Sequence, residues 1–383
     1  LFESIPSIII FVSVKNQDTI KPELSILTWN IAHKQNFVEE LRRAKQVAKY
    51  SLANKSCRNS AEVKHLGLPS EISNQILRKY GSNKKAKKAK SVPLILPGRA
   101  VKRKGNYLWI SCLKLTLPFS LQGVVKINQV EIDKEYAHIA YSVKNEDYKN
   151  YSSFIGVDLN VTGHSAVVSN PGTGKVAKLN KRESHFRRKN KALIAQAQKE
   201  KNFRKANRIH AKNSRRVKDL QHKTSKAIVT IAEQEKKGIR LEDLKGIRES
   251  TNKKNRSKES RGLVNSWSFY TLQFQVDYKA KLRGIPVEYV QPAFTSQNCS
   301  KCGQRGHRDS KVFECKNPLC KHFDHADTNA AFNIANRSPE YNPYPEKKEK
   351  KKTKSNSKTS SKAKTNTKGE HNQSSRVSPL GEG

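Results

Sequence analysis

"SSFIGVDLNVTGHSAVVSNPGTGKVAKL", residues 152–179, decides how the larger part of this chain folds. Apolar or alternating runs at 154–158, 165–168 and 175–179 are separated by polar punctuation, including Asn170-Pro171-Gly172-Thr173-Gly174. Short apolar runs bounded by turn residues predict three consecutive strands. The first run ends on a carboxylate, Asp158. An acid at the end of an otherwise apolar strand has two readings: a turn residue, or an oxygen ligand presented at a sheet edge. The rest of the chain has to choose between them.

Two more acids stand in similar places. "GIRLEDL" (238–244) reads as a short strand that ends at Glu242, and "DTNAAFNIAN" (327–336) reads as a helix opened by Asp327. Each has a plain alternative. Asp327 could cap its helix, since an aspartate there satisfies free backbone amides. Glu242, beside Asp243, could be a solvated strand edge. Taken together the three are a stronger signal. Phosphodiester hydrolysis with two Mg²⁺ ions needs hard oxygen ligands that converge from separate elements. Single acids at strand ends and helix starts, in a very basic chain, fit a metal cluster inside an electropositive channel.

Between these strands, residues 181–236 show a helical pattern studded with cations, among them Arg187, Arg188, Arg204, Lys205, Arg208, Arg215 and Arg216. Lys237-Gly238 ends it. Such helices neutralise phosphates and read no sequence. Residues 246–262 are polar and are expected to be mobile. Trp267, Tyr270, Phe274, Tyr278 and Leu282 form a stripe at helical spacing, closed by Gly284, and are read as core rather than as a cofactor box. "IPVEYV" (285–290) is a further strand.

Four of the six cysteines cluster as Cys299-x-x-Cys302 and Cys315-x4-Cys320, with twelve residues between the pairs. Two knuckles joined by a short hairpin make the tetrahedral thiolate shell of a structural zinc site. Gly303 suits the turn that points amides at sulfur. The second pair is wider than CxxC, so the fourth ligand is Cys320 or else His322 or His325. Cys57 and Cys112 stand alone and are read as buried, inert thiols. A closed zinc site is structural and does not by itself make an enzyme.

Composition sets the outer limits. The chain has 383 residues, room for two or three domains, and only 35% are hydrophobic. Lysine and arginine number 76 against 33 acids, a formal charge of +43. That excess calls for a polyanionic partner, nucleic acid before a membrane surface. The apolar run 8–14 is too short to span a bilayer and lacks the flanks of a signal peptide, so it reads as a strand and the protein as cytoplasmic. Residues 1–36 are a segment of uncertain kind. Residues 37–80 repeat at helical spacing, 82–91 ("SNKKAKKAKS") form a basic linker, and 92–149 alternate like strands ("YLWISCLKLTLPF", "KINQVEIDKEYAHIAYSVK"). From 338 onward the chain is rich in Lys, Ser and Thr and is expected to be a disordered basic tail.

"FIGVDLNVTG" (154–163), "GIRLEDLKGI" (238–247), "SWSFYTLQFQVDYKAKLRGIPVEYVQPAFTSQNCSKCG" (266–303) and "HADTNAAFNIANR" (325–337) together resemble the TnpB family, the OrfB proteins of insertion sequences and relatives of type V CRISPR effectors. The likeness covers about 150–337. It implies a multidomain α/β and α+β protein. A split RuvC nuclease domain of RNase H-like fold would occupy 150–337, with a zinc ribbon (295–322) inserted in it. A helical recognition-like region (37–91) and a β-barrel, wedge-like region (92–149) would precede it, with 1–36 belonging to the wedge or standing apart. Asp158, Glu242 and Asp327 fall in the three acidic motifs, at intervals of 84 and 85 residues. The implied activity is RNA-guided DNA cleavage with two catalytic Mg²⁺ and one structural Zn²⁺. The implied partners are a guide RNA and target DNA, double- and single-stranded, with the protein as a monomer. The 246–262 segment would be a lid, and specificity would come from RNA–DNA pairing. Asn160 stands where the family commonly has Gly. Rival readings are a guide-dependent DNA-binding protein that does not cut, a junction resolvase, and an accessory transposition protein. The intact acids, the inserted ribbon, and the lack of a recombinase tyrosine or serine constellation speak against them in turn.

Overall fold

The apolar run that starts the 152–179 stretch becomes the centre of a five-stranded sheet. The computed structural model describes residues 24–83, 85–253, 257, 261–262, 264–265 and 267–341. The apolar run 8–14, part of the 246–262 segment and nearly all of the tail lie outside the described residues.

Upstream of the sheet, strand β1 (Leu24–Ala32) leads into helices α1 (Val38–Ala53) and α2 (Ser70–Ser82). These are followed by β2 (Leu94–Pro97), β3 (Val101–Lys104), β4 (Tyr107–Ile110), β5 (Leu115–Pro118), β6 (Val124–Ile132) and β7 (Tyr136–Lys144). The strands form two antiparallel sheets, one ordered β1-β7-β6-β2 and one β3-β4-β5. Alternation along β7, where Ala137, Ile139 and Tyr141 are buried, marks one face packed and one open. A single apolar core joins these sheets to α1 and α2, through Ala44, Val47, Ile72, Ile76, Leu96 and Ile139 among others. β1 pairs with β7 along its whole length, so the uncertain N-terminal segment contributes a strand to the β-rich region.

The second core belongs to the half of the chain that follows. Strands β8 (Phe154–Leu159), β9 (Ala166–Ser169) and β10 (Val176–Leu179) lie within a residue of the expected runs. Helices α3 (Arg182–Lys199) and α4 (Phe203–Gln234) follow, joined at Glu200–Asn202, where Lys201 turns to a φ of +53°. Next come β11 (Gly238–Glu242), the short helix α5 (Ile247–Lys253), α6 (Phe269–Leu282) and β12 (Val287–Val290). The sheet order is β10-β9-β8-β11-β12, with β9 antiparallel to both neighbours and β8, β11 and β12 parallel. β8 is almost entirely buried, as a central strand covered on both faces must be. Helices α4 and α6 cover one face through Ile228, Val229, Ala232, Leu272 and Val276. The other face is covered by the last helix, α7 (Ala326–Asn336), which packs on β8 and β9.

Two expectations are corrected here. The aromatic stripe is not the core face of its helix. Phe269, Leu272, Val276 and Ala280 face the sheet, whereas Tyr270 is 69% exposed and Phe274 is half-buried. Two stripes run side by side along α6, and the less bulky one fits the narrow gap against the sheet; of the aromatic set, Trp267 and Tyr278 are buried. Within the polar 246–262 segment, residues 247–253 form the short helix α5. Cys57 is buried as expected, but Cys112 is only partly so, and burial pushes both thiols up from their ordinary pKa. Among the described residues no helix is long and apolar enough to cross a membrane.

Candidate metal and nuclease centre

Gly156 explains why α7 can bring its first-turn carboxylate up against the sheet. A Cβ there would stand 2.0 Å from the Ala331 carbonyl oxygen and 2.4 Å from the Ala335 nitrogen, so only glycine lets the helix lie this close to β8. Two residues on, Asp158 faces the first turn of α7 and is 8% exposed. Leu241 of β11 is in register with Val157 of β8, so Glu242 comes next beside Asp158 at the carboxyl ends of two parallel strands. Asp327, 2% exposed, lies in the first turn of α7. It is not the cap of that helix. His325 is, and its ring nitrogen accepts the Asp327 amide. The structure thus draws the three acids from distant points of the chain to one edge of the sheet.

Their surroundings hold them there. Asn160 Nδ2 donates to Asp158 Oδ2 at 2.9 Å, and Thr295 Oγ1 donates to Glu242 Oε1 at 2.6 Å. Gln273 Nε2 donates to the Glu242 carbonyl at 2.7 Å. Lys311 Nζ reaches Asp327 Oδ2 at 2.6 Å, and an Arg308 guanidinium nitrogen stands 3.6 Å from Oδ1, which receives no hydrogen bond. Burial, then the charges of Glu242 and Asp327, push the Asp158 carboxyl up to about 8. Burial also raises Glu242. Carboxylates that oppose one another's ionisation in a buried corner are poised for a cation, and an all-oxygen donor set suits Mg²⁺.

The second cluster lies just before α7. Strands β13 (Gly306–Asp309), β14 (Val312–Cys315) and β15 (Phe323–His325) form a small antiparallel sheet beneath two knuckles. The thiols of Cys299, Cys302, Cys315 and Cys320 lie within 4.8 Å of one another. Cys299 and Cys320 sulfurs are 3.8 Å apart, and those of Cys302 and Cys315 are 3.5 Å apart. A tetrahedral Zn²⁺ with Zn–S near 2.3 Å sets sulfur–sulfur separations at about 3.8 Å, so the donor set fits. Gly303, at a φ of +75°, makes the expected turn, and the amides of Lys301 and Asn317 point at the Cys299 and Cys315 sulfurs. His322 stands at the edge, its Nδ1 3.5 Å from the Cys299 sulfur, and His325 is engaged at the helix cap. The spacing therefore favours Cys320 as the fourth ligand. Asn329 and Asn333 of α7 donate to the carbonyls of Asn298 and Thr295, stitching the first knuckle to the helix that bears Asp327.

The basic helices divide. Arg188, Arg204, Lys205, Arg208, Arg215 and Arg216 are exposed along α3 and α4. Arg216 lies over the Phe186 ring, and Lys205 pairs loosely with Glu200. Arg187 differs from the sequence expectation. It turns inward to donate to buried Glu183 at 2.7 Å and to Ser268 at 2.6 Å, where Gln221 also donates to both. A buried carboxylate needs such a partner, and Arg187 supplies it. Sequence reading missed Arg308, Lys311, Thr295 and Gln273. Only the "RDSK" turn at 308–311, a cationic hairpin tip, carries any local signal for two of them.

Known proteins resemble this chain. A family profile described as "Cas12f1-like, TNB domain" matches residues 269–334, which run from α6 through the cysteine cluster into α7. A TnpB-like protein of Methanocaldococcus jannaschii is 31% identical over 230 residues, covering 57% of this chain and 80% of that protein. The CRISPR-associated endodeoxyribonuclease Cas12f2 of a Micrarchaeota archaeon is 30% identical over 222 residues, covering 53% of this chain but 40% of its own length. Among solved structures, a Cas12f1–sgRNA–target DNA complex superposes with a TM-score of 0.50 at 17% identity, over 78% of this chain and 82% of that one. That last likeness is one of fold.

Proposed function

The chain belongs to the TnpB family, and from that footing we propose that it is an RNA-guided DNA endonuclease whose RuvC-like centre is Asp158, Glu242 and Asp327. The observation that carries this reading is the convergence of the three acids at one sheet edge. The sheet supports it. The parallel pair β8 and β11 places Asp158 and Glu242 side by side at their carboxyl ends, as a shared metal site would require. Relatives named as CRISPR-associated endodeoxyribonucleases and as TnpB-like proteins point the same way.

In this reading Asp158, Glu242 and Asp327 together would hold two catalytic Mg²⁺ ions, with Asp158, on which both other acids act, at the centre of the donor set. Bound there, Mg²⁺ would supply Lewis-acid activation of water and charge relief for the departing 3′ oxygen of DNA. The chain's own groups do the rest. Asn160 and Thr295 hold two carboxylates in fixed rotamers. Arg308 and Lys311 bring positive charge to the rim where a phosphate must approach. Cys299, Cys302, Cys315 and Cys320 would hold a structural Zn²⁺ that sets where α7 begins. The exposed cations of α3 and α4 would lie along the guide–target duplex or the cut strand, without reading sequence.

The test is to purify the protein with its bound RNA, sequence that RNA, and supply matching DNA and Mg²⁺. Cleavage is expected. Asp158→Ala abolishes it and leaves guide-dependent DNA binding intact. Cleavage that survives Asp158→Ala removes the assignment.

A further inference from the structure

On the far side of β11 from the three acids, the same edge of the sheet opens into a cavity of about 470 Å³ that begins at Asp243, the residue after Glu242. Its walls are aromatic. Tyr270, Phe274 and Tyr289 line it, and Tyr270, in the first turn of α6, is 69% exposed. Its floor is polar. Tyr289 Oη donates to Asp277 Oδ2 at 2.6 Å, and Gln273 crosses from the cavity to the Glu242 backbone.

The charges say what could enter. Asp243, Glu249 and Asp277 outnumber Lys245 and Arg248 in the lining, so a phosphate would be repelled from this pocket while the +43 chain attracts one almost everywhere else. A flat, uncharged ring with hydrogen-bonding edges suits both the aromatic walls and the carboxylate acceptors. Nucleobases stacked on exposed aromatic side chains are the common means of holding single strands. Enzymes that do chemistry on a base likewise seat it, out of the stack, between aromatic or apolar side chains. We infer that this cavity receives one nucleobase of the strand being cut, next to the scissile phosphate, with Tyr270 as its stacking platform. The inference rests on the nuclease reading above. It adds a role that reading does not contain: the base is held on the α6 face of the sheet while its phosphate lies on the α7 face. Gln273 makes the two sites mechanically continuous, because it ties the pocket floor to the backbone of Glu242.

The experiment uses the RNA-loaded protein carrying Asp158→Ala, with single-stranded DNA oligonucleotides in which 2-aminopurine is walked along the strand. Stacking quenches the probe. One position is expected to be quenched, to recover in Tyr270→Ala and to stay quenched in Tyr270→Phe, which keeps the ring. With the cutting protein, an abasic nucleotide walked through the same positions slows cleavage about tenfold at that one position. Tyr270→Ala alone slows it by a similar factor and makes it indifferent to the abasic site there. Quenching that ignores Tyr270 at every position overturns the inference, as does additive loss in the abasic and Tyr270→Ala combination. If the wild-type protein cuts no DNA at all, the nuclease reading falls, and the 2-aminopurine signal still decides the pocket by itself.

Discussion

The metal-free protein should weaken as pH rises through neutrality, and Asp158 should be the reason. Its carboxyl sits at about 8 in the folded protein, against near 3.9 for an unperturbed aspartate. Between those values the folded protein keeps a proton that the unfolded chain has released. Stability from this group is therefore complete below about pH 4 and drains away as pH climbs to about 8. A full proton of difference amounts to roughly 1.4 kcal/mol per pH unit, so the step from pH 6 to 8 costs about 2 kcal/mol. Glu242, raised by its own burial, acts in the same direction. For a domain of 150–250 residues, the size class of the half that bears these acids, that loss corresponds to a fall of roughly 4–8 °C in Tm. The assay is thermal unfolding in EDTA at pH 6, 7 and 8, for the wild type and Asp158→Asn. The wild type should lose several degrees more than the variant. Saturating Mg²⁺, which requires the ionised carboxylates, should flatten the wild-type slope. Parallel pH profiles for the two proteins would refute the claim that these acids oppose one another's charge.

Metal analysis should find one zinc per chain, and Cys299→Ser with Cys302→Ser should lose both the zinc and most cleavage although every acid remains; full cleavage without zinc would break the link from ribbon to α7. Gly156→Ala should destabilise by several kcal/mol or displace α7 and silence cleavage, since its Cβ meets backbone and not a movable side chain; unchanged melting and cleavage would disprove the close approach. Single alanine substitutions at Arg204, Arg208 or Arg215 should each lower the salt dependence of nucleic-acid binding by about 0.7–0.9 in log–log slope if that side chain contacts a phosphate. Arg187→Ala should instead lower the melting temperature, because it abandons buried Glu183; a change in binding alone would contradict that role.

What could be read from the sequence was whatever is local. The strands at 154–159, 166–169 and 176–179 announce themselves through short apolar runs and a Pro-Gly turn, and the cysteine pairs through their spacing. The three acids stood out because each closes or opens an element. What stayed hidden depends on which neighbour arrives from elsewhere. Nothing near Arg187 says that Ser268, 81 residues on, will claim it. The stripe 270–274–278 and the stripe 269–272–276 have equal standing on a helical wheel, and only the sheet beneath chose the second. Lys311 looks like any hairpin lysine until the hairpin is folded against Asp327.

The order in which the chain supplies its acids has a consequence for how such a protein is made and how it decays. Asp158 and Glu242 are in place once β8 and β11 have been synthesised, but the third arrives only with α7, after the cysteine hairpin. A nascent chain halted after the basic helices and before that point lacks the third acid, so on the proposed reading an unfinished copy would grip nucleic acid without cutting it. On the same reading, a frameshift or stop codon in the last stretch would convert a cutting protein into a basic one that can only grip nucleic acid, in a single genetic step and without touching the other core.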